Sequence, residues 1–136
     1  MTVQFSTVVR NALLDSMQTT IGVSARVQLW SGPQPTNCAT AASGVKLAEW
    51  QLASTWSNPA SGGVKSLIVS PVLTTLGLAA GSVGYYRFTD STATVCHEQG
   101  AVSATGGGGD LTIDNIVIAV SQTIQITGFT KTAPGL

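Results

Sequence analysis

Val23-Ser24-Ala25-Arg26-Val27-Gln28-Leu29-Trp30 is the stretch on which the reading of this chain turns. Val23, Ala25, Val27 and Leu29 alternate with Ser24, Arg26, Gln28 and Trp30, and a period of two places the first set on the buried face of a β-strand. The same period returns near the end of the chain, where Ile124 and Ile126 oppose Thr123, Gln125 and Thr127. Between these two stretches, strand-length segments fall at about 45–52, 64–70, 72–78, 82–89, 93–102 and 110–118, with a last one at 122–130. Turn residues separate them: Pro33, Pro35, Asn37 and Gly44 in a long loop at 31–44, then Asn58-Pro59, Gly62-Gly63, an Asp90-Ser91 tight hairpin turn and the tetraglycine at 106–109. Such spacing predicts a mainly β fold, an antiparallel β-sandwich of Ig-like or jelly-roll-like kind.

Upstream of the first strand the period is 3.6. Val9, Leu13 and Met17 recur at i, i+4 and i+8 with Ala12 and Leu14 beside them, Ser6 or Thr7 can cap the start, and Gly22 stands where a left-handed terminator belongs. The pattern predicts one N-terminal helix over 7–21. Its apolar stripe either closes an open end or face of the sheet or docks on a partner protein. The expected organisation is a single domain over 1–136: an arm at 1–6, the helix at 7–21, strands across 23–130 and a tail at 131–136.

Composition narrows the function classes. Six basic and six acidic residues among 136 give zero formal net charge and only 9% charged positions, far below the roughly one quarter of an average soluble domain. Arg10, Arg26, Lys46, Lys65, Arg87 and Lys131 stand singly, so no cationic face for nucleic acid can be drawn from sequence neighbours. With 43% hydrophobic content, disorder is excluded as well. Eighteen Thr, fourteen Ser and fifteen Gly take the place of charge, which favours strands and turns. No basic segment followed by an apolar run opens the chain, so no secretory signal is expected. The longest charge-free stretch, 66–86, is broken by Pro71, Gly77, Gly81 and Gly84 and divides into β-like pieces, so no membrane span is expected either.

Catalytic chemistry finds little to work with. His97 is the only histidine and no Gly-x-Ser-x-Gly elbow accompanies it. Asp110 and Asp114 frame Leu111-Thr112-Ile113 on one face, a pattern open to calcium but more usual for turn caps. The tetraglycine lacks the Lys and Ser/Thr of a phosphate cradle. The expectation is a non-enzyme without cofactor or metal. Trp30, Trp50, Trp56, Tyr85 and Tyr86 offer either a sugar-stacking platform or core packing, and the adjacency of the two tyrosines puts them on opposite faces. Cys38 and Cys96 form no C-x-x-C pair; across their separation of 58 residues they are a candidate disulfide, bonded or free according to whether the two backbones approach.

Phe5-Ser6-Thr7, Arg10-Asn11-Ala12-Leu13-Leu14-Asp15, Leu29-Trp30-Ser31-Gly32 with Pro33 and Pro35, Ser61-Gly62-Gly63-Val64 and Phe88-Thr89-Asp90-Ser91 carry a resemblance across nearly the whole length. Gly109-Asp110-Leu111, Asp114-Asn115, Gln122-Thr123 and Ile126-Thr127-Gly128-Phe129-Thr130 extend it. Together they resemble a family of small virion structural proteins of tailed bacteriophages and prophages. The resemblance implies a virion component made in the host cytoplasm, with the major capsid protein or other virion proteins as partners and self-association as a trimer or other symmetric oligomer. The first expectation is a capsid decoration or cement protein, with Phe5, Val9, Leu13 and Met17 as candidate partner contacts. The alternative is a tail, neck or fibre component, including a module that binds host-surface carbohydrate through its loops.

Overall fold

Ser6 starts the helix: its backbone is extended (φ −63°, ψ 159°) and its side-chain oxygen accepts from the Val9 N–H, so Ser6 rather than Thr7 is the cap. In the computed structural model, which describes residues 3–134, helix α1 runs Thr7–Ile21. It ends where Gly22 takes φ +92° with ψ −178° and donates to the Gln18 carbonyl. That is a glycine conformation, though with extended ψ rather than the left-handed helical one expected. Ser24 follows with φ +53°, so the strand read from Val23 starts three residues later and Val23 is exposed.

Ten strands follow: β1 Arg26–Ser31, β2 Lys46–Gln51, β3 Val64–Ser66, β4 Leu73–Leu76, β5 Gly81–Thr89, β6 Cys96–Gly100, β7 Val102–Ala104, β8 Leu111–Ile113, β9 Val117–Ile118 and β10 Thr123–Thr132. They form two sheets. One has the order β2-β1-β5-β6, with β9 pairing the start of β5; the other has the order β3-β10-β8-β7, with β4 pairing the opposite end of β10. The mainly β, sandwich-like fold with one N-terminal helix is therefore the fold of this chain.

Register explains the core. Trp50, Val27 and Phe88 align in one row across β2, β1 and β5, and Ala48, Leu29 and Tyr86 align in the next. All six are buried, facing Leu111 and Ile113 of β8 and Ile124, Ile126 and Phe129 of β10. A register shift between Ile126 and Gly128 changes the parity of β10, so Phe129 points inward although the strict alternation of 122–130 would turn it out. Its ring then meets Phe88 at 5.6 Å and Tyr86 edge-on at 5.6 Å, while Trp56 lies tilted against Phe88 at 4.8 Å. Trp56 also donates its indole N–H to the Gly22 carbonyl, tying the aromatic cluster to the end of α1.

Several boundaries differ from the sequence expectation. The strand read at 93–102 is two strands, because the chain crosses between sheets after Gly100, where a Cβ would lie 2.8 Å from the Tyr86 ring and 2.9 Å from the Asp110 carboxylate. The strand read at 110–118 also divides: Asp114 Oδ1 accepts from the Gln125 N–H and Asn115 Oδ1 from the Val117 N–H, turning the chain between β8 and β9. The segment at 64–70 shortens to β3, then turns through a cis Ser70–Pro71 peptide. Asp90-Ser91 opens a longer turn, closed by the Asp90 N–H on the Val95 carbonyl. β7 and β8 pair in parallel, against the wholly antiparallel expectation. A loop that short is possible because Gly106 and Gly108 adopt φ +85° and +81°. The tail is shorter than 131–136, because β10 continues to Thr132; Met1 and Thr2 of the arm and residues 135–136 lie outside the described residues.

Since Phe88 links the rings of Trp56 and Phe129, Phe88→Ala is expected to lower unfolding stability by about 3–5 kcal/mol. Urea denaturation of the variant beside an exposed-site control such as Val23→Ala, expected within about 0.5 kcal/mol of wild type, measures it.

Candidate interaction surface

Helix α1 has two faces, and the inward one is not the stripe read from sequence. Arg10, Leu14 and Ile21 are buried, with Met17 packed against the core, whereas Val9 and Leu13 are 42% and 47% exposed. Arg10, 4% exposed, lies along the inward face because its guanidinium has a polar target: Nε and Nη2 donate to the Ala133 carbonyl at 3.3 and 3.1 Å. Gly63 makes room for it, since a Cβ there would stand 2.3 Å from the guanidinium carbon.

The rest of the docking is also polar. Asn11 Oδ1 accepts from the Gly63 N–H at 2.8 Å, and Asp15 Oδ1 accepts from the Ala60 N–H at 2.9 Å and from Lys65 Nζ at 2.8 Å. One turn further on, Ser57 Oγ donates to Gln18 Oε1. Asn11, Asp15 and Gln18 follow helical spacing, so one polar side of α1 binds the 57–63 loop, satisfying the Ala60 and Gly63 amides, where the loop pairs otherwise only through isolated bridges at Ser57 and Ser61. The hydrogen bonds from Lys65 and from the Ala60 amide hold the Asp15 carboxyl below the usual carboxylate range.

What this docking leaves outside is apolar. Phe5 is 41% and Val8 78% exposed, and with Val3, Val9 and Leu13 they line the arm and the outward side of the first helical turns. Of the four candidate contacts, Phe5, Val9 and Leu13 thus lie on the surface. Met17 does not join them: it turns towards the core and lines a groove with Ser16, Thr20, Ile21 and His97. A second group of exposed apolar side chains, Leu76, Leu78, Val117 and Val120, gathers around the β4, β9 and 119–122 turns.

The charged side chains are occupied internally. Glu49 takes Arg26 at 2.8 Å and Lys46 at 3.3 Å and accepts from Gln28, which in turn accepts from the Trp30 indole. Burial opposes ionisation of Glu49, but hydrogen bonds from Gln28, Lys46 and Arg26 outweigh it and bring the group below its usual range. Glu98 accepts from the Tyr86 hydroxyl and pairs with Lys131 at 3.1 Å, and the Lys131 ammonium sits 5.1 Å from the centre of the Phe129 ring. Burial, with the Glu98 carboxylate beside it, pushes the Tyr86 phenol well above its ordinary range. Arg87 donates to the Thr40 carbonyl at 2.6 Å. Asp90 accepts from the Thr94 and Val95 N–H groups and the Thr92 and Thr94 hydroxyls; desolvation works against it, yet these bonds bring it to about 2. Asp110 accepts from the Ala101 N–H, so Asp110 and Asp114 both act as turn caps.

The outer face of the first sheet is covered rather than open. Tyr85 donates to the Ser43 carbonyl and accepts from the Ser43 N–H, Gln99 donates to the Pro35 carbonyl, and Arg87 holds Thr40, so the 32–45 loop lies over β5 and β6. Trp50, Trp56, Tyr85 and Tyr86 are all buried, which makes them core or loop-covered rings rather than a stacking platform. Cys38 and Cys96 are free thiols in the described structure; the pinned 32–45 loop brings Cys38 over β6, the Cys96 thiol donates to the Glu98 carbonyl at 3.4 Å, and burial, with the Cys38 thiol as neighbour, pushes Cys96 up to about 12. Among the described residues no group of three or more His, Cys, Asp or Glu is gathered for a metal ion, and no helix is long and apolar enough to cross a membrane. No family model, curated protein or solved structure matches the chain.

Two outcomes follow from the docking and from the lowered carboxylates. Asp15→Ala leaves the buried Lys65 ammonium with only the Asn58 carbonyl at 2.9 Å and the Ala60 amide without its acceptor, and is expected to cost about 1–3 kcal/mol, whereas Asp15→Asn keeps an acceptor and costs less; chemical denaturation ranks the two. Asp15, Glu49 and Asp90 titrate lower in the folded chain than their ordinary values of 3.8, 4.5 and 3.8, so their stabilisation is complete above those values and is lost as pH falls through the folded ones. Tm measured against pH should therefore start its acid decline only below about pH 5 and steepen towards pH 2.

Proposed function

We propose that the protein is a structural component of a phage virion, a decoration or cement protein that packs in many copies on the capsid. The observation that carries this reading is the use of charge. All six cations and all six carboxylates are engaged by this chain's own groups in ion pairs or hydrogen bonds, including Asp110 and Asp114 at the surface, and these twelve are the only charged side chains among 136 residues. A surface of this kind gains little from electrostatic steering and gives little repulsion between copies, so it suits dense, permanent packing among proteins. Phe5, Val8, Val9 and Leu13 supply an apolar contact on one element that can be buried against the major capsid protein or another copy. The sequence resemblance to small virion proteins supports the same reading.

A tail, neck or fibre position is the competing reading, and copy number separates them. Quantitative gel densitometry of purified particles against the major capsid protein should give hundreds of copies for a decoration protein; tens or fewer would exclude that role. Leu13→Asp, on the exposed side of α1, should leave folding intact and strip the protein from particles in a reconstitution assay. Undiminished occupancy would remove this face from the interface.

A further inference from the structure

The Cys38–Cys96 pair arises from two separate features of the fold. The first is a bulge. Phe88 pairs Glu98 and Thr89 pairs Cys96, so His97 is the extra residue of β6. Without it, alternation from Glu98, which bonds Tyr86, would turn Cys96 towards the same inner side. With it, Cys96 joins Thr89, Arg87 and Gln99 on the side that the 32–45 loop covers. The second feature is the pinning of that loop on both sides of Cys38. Gln99 holds the Pro35 carbonyl, Arg87 reaches the Asn37 carbonyl at 3.5 Å and holds that of Thr40 at 2.6 Å, and Tyr85 holds Ser43 through two bonds. Cys38 is thereby presented to Cys96 by contacts that do not involve sulfur.

We infer that Cys38 and Cys96 are a redox clasp, closed by thiol–disulfide exchange with a small-molecule disulfide, which fastens the 32–45 loop to β6. The chemistry balances with glutathione disulfide as the oxidant. The Cys38 thiolate attacks one sulfur of glutathione disulfide and releases one glutathione, leaving a Cys38–glutathione mixed disulfide. Cys96 then gives up its proton, attacks the Cys38 sulfur and releases the second glutathione, so two protein thiols are oxidised while one glutathione disulfide is reduced to two thiols. The order follows from the surroundings of Cys96. Its burial, with the Cys38 thiol beside it, keeps it protonated at neutral pH, so it does not attack first. The Arg87 guanidinium beside it favours its thiolate in the second step, and Arg87 Nε has no protein partner to divert it. The reaction makes a reducing compartment the open state and an oxidising one, such as the medium around a released particle, the closed state.

The full-length reduced protein, incubated with excess glutathione disulfide, alkylated and weighed intact, tests this. The clasp predicts that both alkylation sites are lost together, with no glutathione retained, that reductant restores them, and that amide exchange across 36–43 slows by about tenfold or more. Cys96→Ser, which keeps Cys38 and removes only the resolving thiol, should stop at one glutathione on Cys38. Retention of two glutathiones by the wild-type chain, disulfide-linked dimers in place of the internal bond, or two thiols that stay alkylatable would each overturn the proposal.

Discussion

The buried guanidinium of Arg10 is the contact on which the arrangement of this molecule depends. A cation inside a protein is tolerated only when its N–H groups find acceptors, and here the acceptor is the Ala133 carbonyl, just beyond the last strand. That bond joins a residue near the start of the chain to one near its end, and it fixes the rotation of α1 about its own axis. Once Arg10 is placed, Asn11, Asp15 and Gln18 necessarily meet the 57–65 segment, Leu14 and Ile21 necessarily turn inward, and Val8, Val9 and Leu13 are necessarily left outside. The exposed apolar side of α1 is thus the remainder of a polar docking.

The same economy runs through the sandwich. Burial of apolar area drives the two sheets together, but most of the loops are held by side chains that reach backbone groups: Tyr85 and Arg87 hold the 32–45 loop, and Asp90, Asp110 and Asp114 hold turns. Loops without regular structure carry unpaired amides and carbonyls, and each of these polar side chains answers some of them. All twelve charges of this chain are engaged by its own groups, even those of Asp110 and Asp114 at the surface. The low charge that excluded a cationic nucleic-acid face at the level of composition has its structural meaning here: it is the number of internal fastenings.

The sequence made the fold class legible because Ile124, Ile126, Val27 and Leu29 alternate cleanly, and it made α1 legible because a serine cap and a glycine stop bracket a 3.6-residue pattern. What stayed hidden had physical causes. The inward stripe of α1 contains an arginine, so hydrophobic spacing selected Val9, Leu13 and Met17, of which only Met17 packs inward. Bulges at His97 and at 127–128 shift parity, and parity is what a period of two measures. The cover over Tyr85 and Arg87 comes from a loop distant in sequence, so no local pattern announces that the outer face of β5 is buried. The nearness of Cys38 and Cys96 depends on both of these hidden features, and it was accordingly beyond the reach of spacing arguments.

Native-state hydrogen exchange tests the claim that polar docking, not the apolar stripe, sets the position of α1. If Arg10, Asn11, Asp15 and Gln18 lock the helix to the 57–65 segment, the Ala60 and Gly63 amides and the amides in the middle of α1 should open together with one free energy, and Asn11→Ala should lower that value for both groups at once. A helix that opens independently of Ala60 and Gly63, with exchange in the loop unchanged by Asn11→Ala, would contradict it.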